Sequence, residues 1–247
     1  MTALSGLQPI GARAKLGIIV PPSNTVNEAE FNRFAPPGVS FHFTRSPLHA
    51  DPAADDFQEM LGDVERAMGD LSACRVDHAT YACTAGSMAC PEDRLLGTMS
   101  RTGNVGANST AQAIVAALNA LGVTTICMAS PYTEETNAHE AHYLKDHGID
   151  VLATAGLGLN TSLEKIQQIS RVPPPDVFKH AKSVDLREAE ALLICCTDFN
   201  TFDAIEPLEQ ALGKPVISSN SATLWHTLRH AGIEDRIEGL GTLLRDH

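Results

Sequence analysis

Short apolar runs alternate with amphipathic stretches along most of the chain. The runs have the length and the β-branched composition of buried strands, and they are KLGIIVP, VSFHFTR, VDHATYACT, TTICMASPY, DVLATAG, ALLICCTD and KPVISSN. The stretches between them, such as AADDFQEMLGDVERAMGDL, repeat apolar residues at helical spacing. Because strands that alternate with helices form parallel sheets flanked by those helices, the pattern predicts an α/β protein.

The chain also resembles itself with a period near 110 residues, in three matches that occur in the same order. LGIIVPP matches ICMASPY, and VDHATYACTAG matches AEALLICCTDF; the third match aligns VGANSTAQ with VISSNSAT and pairs Asn108 with Asn220. We therefore expect two similar Rossmann-like (flavodoxin-like) lobes, with parallel sheets related by pseudo-two-fold symmetry and the active site between them. The predicted lobes are residues 14–107 plus 221–247 and residues 108–220.

The two halves end matching strands in Cys-Thr, at Cys83-Thr84 and at Cys196-Thr197. Ligands of open parallel sheets bind beyond the carboxyl ends of the strands, so two facing halves would place both Cys-Thr pairs at one cleft. Cys83 and Cys196 are therefore the catalytic candidates. Cys195 points to the opposite face of its strand, because neighbouring strand residues alternate, and it is interpreted as a packing residue.

The other cysteines of the chain are interpreted as structural. Cys74, Cys90 and Cys127 fall inside or beside predicted helices and strands, and free cysteine is among the most frequently buried residue types. In a chain that we expect to be cytoplasmic, all six cysteines should be reduced thiols rather than a disulfide framework. Cys83 and Cys196 are distinguished from the other four cysteines only because they follow matching strands in the two halves.

Several polar side chains follow strand ends and are candidates for substrate binding. They are Ser23 and Asn24 in PPSNT after the first strand, Thr84 and Thr197 after the two cysteines, Tyr132 after Ser-Pro, and Asn160 after GLGL. Turn formation alone would use the same types of residue, so that alternative stays open.

Composition limits the classes of partner. Lys and Arg number 18 against 30 Asp and Glu, a formal net charge of -12, which argues against a nucleic-acid partner. The net charge does not exclude a small anionic substrate, because the binding site of such a substrate depends on local donors.

No secretory signal and no apolar run of ~20 residues is recognised, so we expect a cytoplasmic protein without a membrane partner. We recognise no zinc-type spacing, and GLGLN lacks the third glycine of a dinucleotide motif, so neither a metal nor a nucleotide is expected.

The motifs PPSNT, YACTAG, ASPYTEETN, GLGLN and ICCTDF together resemble the aspartate/glutamate racemase superfamily. The resemblance is to its branch of maleate cis-trans isomerases and arylmalonate decarboxylases, and it runs in order over nearly the whole chain. It implies a small-molecule carboxylate substrate, no cofactor, and a homo-oligomer, either a dimer or a larger assembly. It also implies that Asn24, Tyr132 and Asn160 bind substrate carboxylates, with Cys83 as the nucleophile and Cys196 as its acid/base partner.

The first cysteine separates the activities within this branch. The decarboxylases that the chain resembles carry glycine at the position of Cys83, so its presence favours isomerisation by thiolate addition, bond rotation and elimination. The alternatives are a racemase or epimerase that transfers protons at Cα between two thiols, an arylmalonate-type decarboxylase, and a non-enzymatic protein that binds a small carboxylate.

Overall fold

The computed structural model describes residues 8–49 and 51–247, which contain eight strands arranged in two sheets. The strands are β1 (Ala14–Val20), β2 (Val39–Arg45), β3 (His78–Tyr81), β4 (Gly106–Ser109), β5 (Thr125–Ser130), β6 (Asp150–Gly156), β7 (Ala191–Ile194) and β8 (Val216–Ser218). The helices are α1 (Asn27–Arg33), α2 (Gln58–Ala73), α3 (Thr84–Ala89), α4 (Glu92–Gly103), α5 (Thr110–Ala120), α6 (Glu134–Asp146), α7 (Leu163–Ile169), α8 (Pro174–Ser183), α9 (Phe202–Leu212), α10 (Ser219–His230) and α11 (Gly241–Asp246).

The two sheets have the same parallel topology. The strand orders are β2-β1-β3-β4 and β6-β5-β7-β8, which is the order that begins a flavodoxin-like sheet. The registers also correspond, because Leu16 of β1 pairs with His78 of β3 and Ile126 of β5 pairs with Ala191 of β7. The predicted pair of similar parallel-sheet lobes is therefore confirmed.

The third predicted match between the halves was out of register by three residues. Ser109 ends β4 and Ser218 ends β8, each pairs with the last residue of its neighbouring strand, and each side chain caps the helix that follows. These two serines are the equivalent residues. Asn108 lies within β4 whereas Asn220 lies within α10, so their predicted equivalence was wrong. The Asn-Ser dipeptides of the two halves share their letters but not their place in the fold, because the equivalent residues are the helix N-caps Ser109 and Ser218.

Helix α10 lies at the seam between the two sheets. Its Thr227 hydroxyl hydrogen-bonds the Thr80 hydroxyl of β3 at 2.8 Å, and its His226 Nδ1 lies 2.9 Å from Nδ2 of Asn108 in β4. The predicted boundary between residues 107 and 108 falls inside β4. The division of the chain into residues 14–107 plus 221–247 and residues 108–220 stays a prediction.

Helix α2 illustrates how the amphipathic stretches cover the sheets. Its apolar residues at helical spacing, among them Val64, Met68 and Leu71, are buried. Gly17 of β1 lies under this face, where an added Cβ would come within 2.8 Å of a Leu71 methyl carbon, so the glycine allows the close approach. In the part of the chain that the structure describes, no helix is both long enough and apolar enough to cross a membrane.

A buried carboxyl group joins α1 to the second half of the molecule. Glu30 Oε1 accepts hydrogen bonds from the backbone N–H groups of Thr201 and Phe202, both at 2.8 Å, where α9 begins. Its Oε2 accepts from Asn220 Nδ2 at 2.6 Å. The first N–H groups of a helix have no partner within the helix, so Glu30 satisfies donors that would otherwise be unpaired.

We predict that Glu30→Ala lowers the free energy of unfolding by about 3 kcal/mol, because it leaves buried donors without an acceptor. The matched control is Glu28→Ala on the same helix, an exposed residue paired with Arg45, which should cost less than about 1 kcal/mol. Urea denaturation of both variants measures the difference. Equal losses would show that the Glu30 contacts contribute no more than a surface ion pair.

Candidate active site

Cys83 lies two residues beyond the end of β3, at the position that precedes the first turn of α3. It is 7% exposed, and its thiol receives the backbone N–H of Gly86. A Cβ at position 86 would lie 3.1 Å from the Cys83 sulfur and 3.0 Å from the Tyr81 hydroxyl. Glycine at this position therefore keeps the space that the thiol occupies.

Cys196 occupies the equivalent place, two residues beyond β7. Its backbone has φ = +91°, a conformation that costs free energy for a residue with a side chain and that clusters at functional sites. The backbone N–H of Cys196 donates to Ser219 Oγ at 3.1 Å, and the residue is 6% exposed. The chain thus leaves the strand sharply and turns Cys196 toward the seam.

The two thiols and the Tyr132 phenol share one buried space. The Tyr132 hydroxyl donates to the Cys196 sulfur, and the charge that would form on Cys83 bears on both Cys196 and Tyr132. Burial raises the pKa of Cys83 to about 11 and also raises the pKa values of Cys196 and Tyr132. The Gly86 N–H lowers the pKa of Cys83, and the Tyr132 hydroxyl and the Asp198 N–H lower that of Cys196, so each thiolate has at least one donor.

Asn24 and Thr197 meet beside this pair. Asn24 Nδ2 donates to Thr197 Oγ1 at 3.1 Å, and Thr197 Oγ1 donates to the backbone carbonyl of Ala82 at 3.0 Å. Asn24 Oδ1 accepts the N–H groups of Val26 and Asn27. The structure therefore brings both predicted residues to the site, and it uses both in contacts that hold the loops there.

Thr84 and Ser23 lie at the same edge with different surroundings. The Thr84 hydroxyl donates to Ser219 Oγ at 2.8 Å and is buried, so it faces the start of α10. Ser23 is half-buried in the loop after β1. Their predicted roles in substrate binding stay predictions.

Asn160 fastens the loop after β6 to the start of α6. Its Oδ1 accepts the Thr133 N–H at 2.8 Å, and its Nδ2 donates to Thr136 Oγ1 at 2.8 Å. Thr133 directly follows Tyr132. Asn160 therefore holds the backbone next to Tyr132, and its predicted contact with a substrate carboxylate stays a prediction.

Cys195 faces Glu140 of α6, and both residues are fully buried. The sequence reading overlooked Glu140. A signal for it exists, because Asn137, Glu140 and Leu144 are spaced as one helix face and all three are buried. A carboxyl group on the buried face of a helix is unusual enough to mark a functional candidate.

The sequence reading also overlooked an H-x-x-x-H spacing, from His226 to His230 on α10. The Nε2 atoms of these histidines lie 3.1 Å apart. Across residues 8–49 and 51–247, no three His, Cys, Asp or Glu side chains are grouped to hold a metal ion.

Comparisons with known proteins agree with this architecture. The maleate isomerase of Alcaligenes faecalis is 26% identical over 248 residues, which cover 93% of this chain and 96% of that protein. The arylmalonate decarboxylase of Bordetella bronchiseptica is 29% identical over 120 residues, 49% of each protein. The Nocardia farcinica maleate cis-trans isomerase has been solved as a cysteine-to-serine mutant with a covalently bound succinylcysteine intermediate. It has the same fold, with a TM-score of 0.85 at 24% identity over 95% of this chain and 99% of that one.

A family model described as arylmalonate decarboxylase matches residues 16–244, almost the whole of the duplicated fold. The chain belongs to the arylmalonate decarboxylase family.

Proposed function

We propose that the protein is a cofactor-independent isomerase that converts a small cis-enedioate, with maleate as the first candidate, into its trans isomer. One observation carries the proposal: two buried cysteines, Cys83 and Cys196, follow equivalent strands and lie together with Tyr132. The similarity to maleate isomerases over nearly the whole chain supports it.

The proposed reaction begins with addition of the Cys83 thiolate to one carbon of the double bond. The electron pair of the double bond moves toward the neighbouring carbon and its carboxylate, and the Cys196 thiol protonates that carbon. The former double bond is then single and rotates. Cys196 removes the proton again, the carbon–sulfur bond breaks, and the trans isomer leaves with the Cys83 thiolate restored. No proton or electron is gained or lost over the cycle.

The carboxylates of the substrate require donors in a site that excludes water. An amide side chain has two N–H donors, and Asn24 and Asn160 each use Nδ2 for one recorded hydrogen bond, which leaves the second N–H for a carboxylate. Tyr132 has a hydroxyl at the same place, and Ser23, Thr84 and Thr197 add hydroxyl groups around it. We assign these residues to substrate binding, where donors directed at the developing charge contribute to the rate. The hydroxyl protons of Thr84 and Thr197 are used on Ser219 Oγ and on the Ala82 carbonyl, so in this proposal these two hydroxyls rotate to donate to a substrate.

We predict that Cys83→Ala and Cys196→Ala each lower the rate of maleate conversion by at least about 100-fold, because each removes a group that handles the reacting carbon or its proton. Proton NMR of maleate and fumarate measures the rates. Cys127→Ala is the matched control, since Cys127 is a buried cysteine within β5. Parent-like rates in both active-site variants would contradict the mechanism.

We predict that Cys196→Ser accumulates a covalent adduct on Cys83 when it is incubated with maleate. A serine hydroxyl is a much weaker acid than a thiol, so removal of the proton and elimination should slow more than addition. Peptide mass spectrometry should find Cys83 heavier by one molecule of maleic acid. The double variant Cys83→Ala with Cys196→Ser should carry no such adduct, and an adduct on another cysteine would assign the nucleophile elsewhere.

We predict that Tyr132→Phe lowers kcat by about 100-fold, because it removes a buried donor to the Cys196 sulfur and to developing charge. Tyr143→Phe on α6 is the matched control, since Tyr143 lies outside the described site. Steady-state rates at several maleate concentrations separate kcat from KM. An unchanged kcat would exclude Tyr132 from the reaction.

Decarboxylation is the second candidate, because the matching family model and a relative that aligns with 49% of the chain are arylmalonate decarboxylases. A decarboxylase needs only one thiol to protonate the carbanion left by CO₂. Release of CO₂ from an arylmalonate at a rate that Cys83→Ala does not lower would favour it over isomerisation.

A further inference from the structure

Glu140 is a fully buried carboxylic acid on the face of α6 that packs toward the two cysteines. Its neighbours on that face, at helical spacing, are Asn137 and Leu144, which are also buried. Helix α6 begins directly after the Tyr132-Thr133 loop. Glu140 therefore lies beside Cys195, next to the site, and is not one of the two proposed catalytic residues.

The carboxyl group of Glu140 has no conventional hydrogen-bond partner in the part of the chain that the structure describes. Neither Oε1 nor Oε2 is paired with an oxygen or nitrogen donor, although both are shielded from water. The polar group that it faces is the thiol of Cys195. An ionised carboxylate in such a place loses its hydration, and the Cys195 thiol lowers its pKa by less than burial raises it, so the neutral acid is favoured at neutral pH.

The titratable groups around Glu140 are acids that carry no positive charge. They are Cys195 at the end of β7, Cys83 before α3, and Tyr132 before α6. The two elements that pack most closely against α6, among the described residues, contain no Lys or Arg: α3 reads TAGSMA, and β6 reads DVLATAG with Asp150 at its opposite, amino end. A negative charge on Glu140 is therefore not compensated by a neighbouring cation.

Such a charge bears directly on the proposed nucleophile. Burial raises the pKa of Glu140 to about 8, and the charge of ionised Glu140 raises the pKa of Cys83 and of Tyr132. Glu140 loses its proton at a lower pH than Cys83, whose pKa burial raises to about 11. Alkaline pH thus produces the carboxylate first, and that carboxylate opposes formation of the thiolate.

We propose that Glu140 is a positioning residue whose neutral form permits, and whose ionised form suppresses, thiolate formation at Cys83. Glu140 releases its proton to solvent and forms no bond to substrate. The effect on isomerisation rests on the proposed function, whereas the effect on the reactivity of the Cys83 thiol does not.

The first experiment compares the pH dependence of kcat/KM for maleate in the parent protein and in Glu140→Gln. Glutamine has the shape of the neutral acid and does not ionise. Because ionised Glu140 raises the pKa of Cys83 without reversing its titration, parent kcat/KM should rise less steeply with pH above about 8 than below it. Glu140→Gln should keep the parent rate at pH 7 within about threefold and lack that flattening. A loss by the same factor at every pH would indicate a structural role and overturn the proposal, as would an unchanged flattening.

The second experiment measures the thiol itself, with iodoacetamide as a neutral probe and mass spectrometry of the peptide that contains Cys83. At pH 9 the Cys83 of Glu140→Gln should react about tenfold faster than that of the parent, which corresponds to a pKa lower by about one unit. At pH 6.5, where Glu140 is neutral in the parent, the two proteins should react alike. Equal rates at pH 9 would overturn the proposal.

The controls separate this proposal from the proposed function. Glu135→Gln changes an exposed residue of the same helix and should behave as the parent, and the exposed Cys74 should react equally in all variants. Glu140→Leu provides a second uncharged side chain if glutamine disturbs folding, and it should show the same faster alkylation at pH 9. Faster alkylation without maleate turnover would refute the proposed function and leave this inference standing. Turnover with unchanged alkylation would do the reverse.

Discussion

One buried hydroxyl group joins three strand ends from the two halves of the molecule. Thr197 follows β7, its Oγ1 accepts from Asn24 after β1, and it donates to the carbonyl of Ala82 after β3. Ala82 is bonded to Cys83 and Thr197 is bonded to Cys196, so this contact controls the separation of the two thiols. The buried Glu30 carboxyl group also joins the two halves, because it accepts hydrogen bonds from the starts of α9 and α10.

The burial that holds the seam together also determines the chemistry available there. Water is excluded from the thiols and from Tyr132, and each charged form is therefore disfavoured unless a donor faces it. The Gly86 N–H is such a donor for Cys83, and the Tyr132 hydroxyl and the Asp198 N–H are such donors for Cys196. A site of this kind keeps both thiols protonated at rest and stabilises negative charge only where a donor points.

The apolar runs predicted seven of the strands because buried parallel strands are nearly continuous in apolar residues. Strand β4, with the sequence GANS, escaped prediction because it is short and polar and lies at the edge of its sheet. The equivalence of Cys83 and Cys196 could be predicted from the sequence, because Cys-Thr follows both strands. The hydrogen bonds of Asn24 and Asn160 could not be predicted, since they join residues that only the folded chain brings together. Glu140 was overlooked for a different reason, because its buried helix face contains two polar residues, Asn137 and Glu140, beside the apolar Leu144 and therefore shows no apolar periodicity.

The surroundings of the three thiols near the seam favour different roles for them. Burial raises the pKa of Cys195 well above its ordinary value, and the charge of Glu140, which it faces, raises it further. The pKa of Cys196 is raised more than that of Cys83, by burial first and then by the like charge of Asp198 beside it. Cys83 therefore ionises most readily of the three, while Cys196 retains its proton until a carbanion forms next to it. A nucleophile and an acid of the same residue type are thus distinguished by their neighbours, which is the asymmetry that addition to a double bond requires.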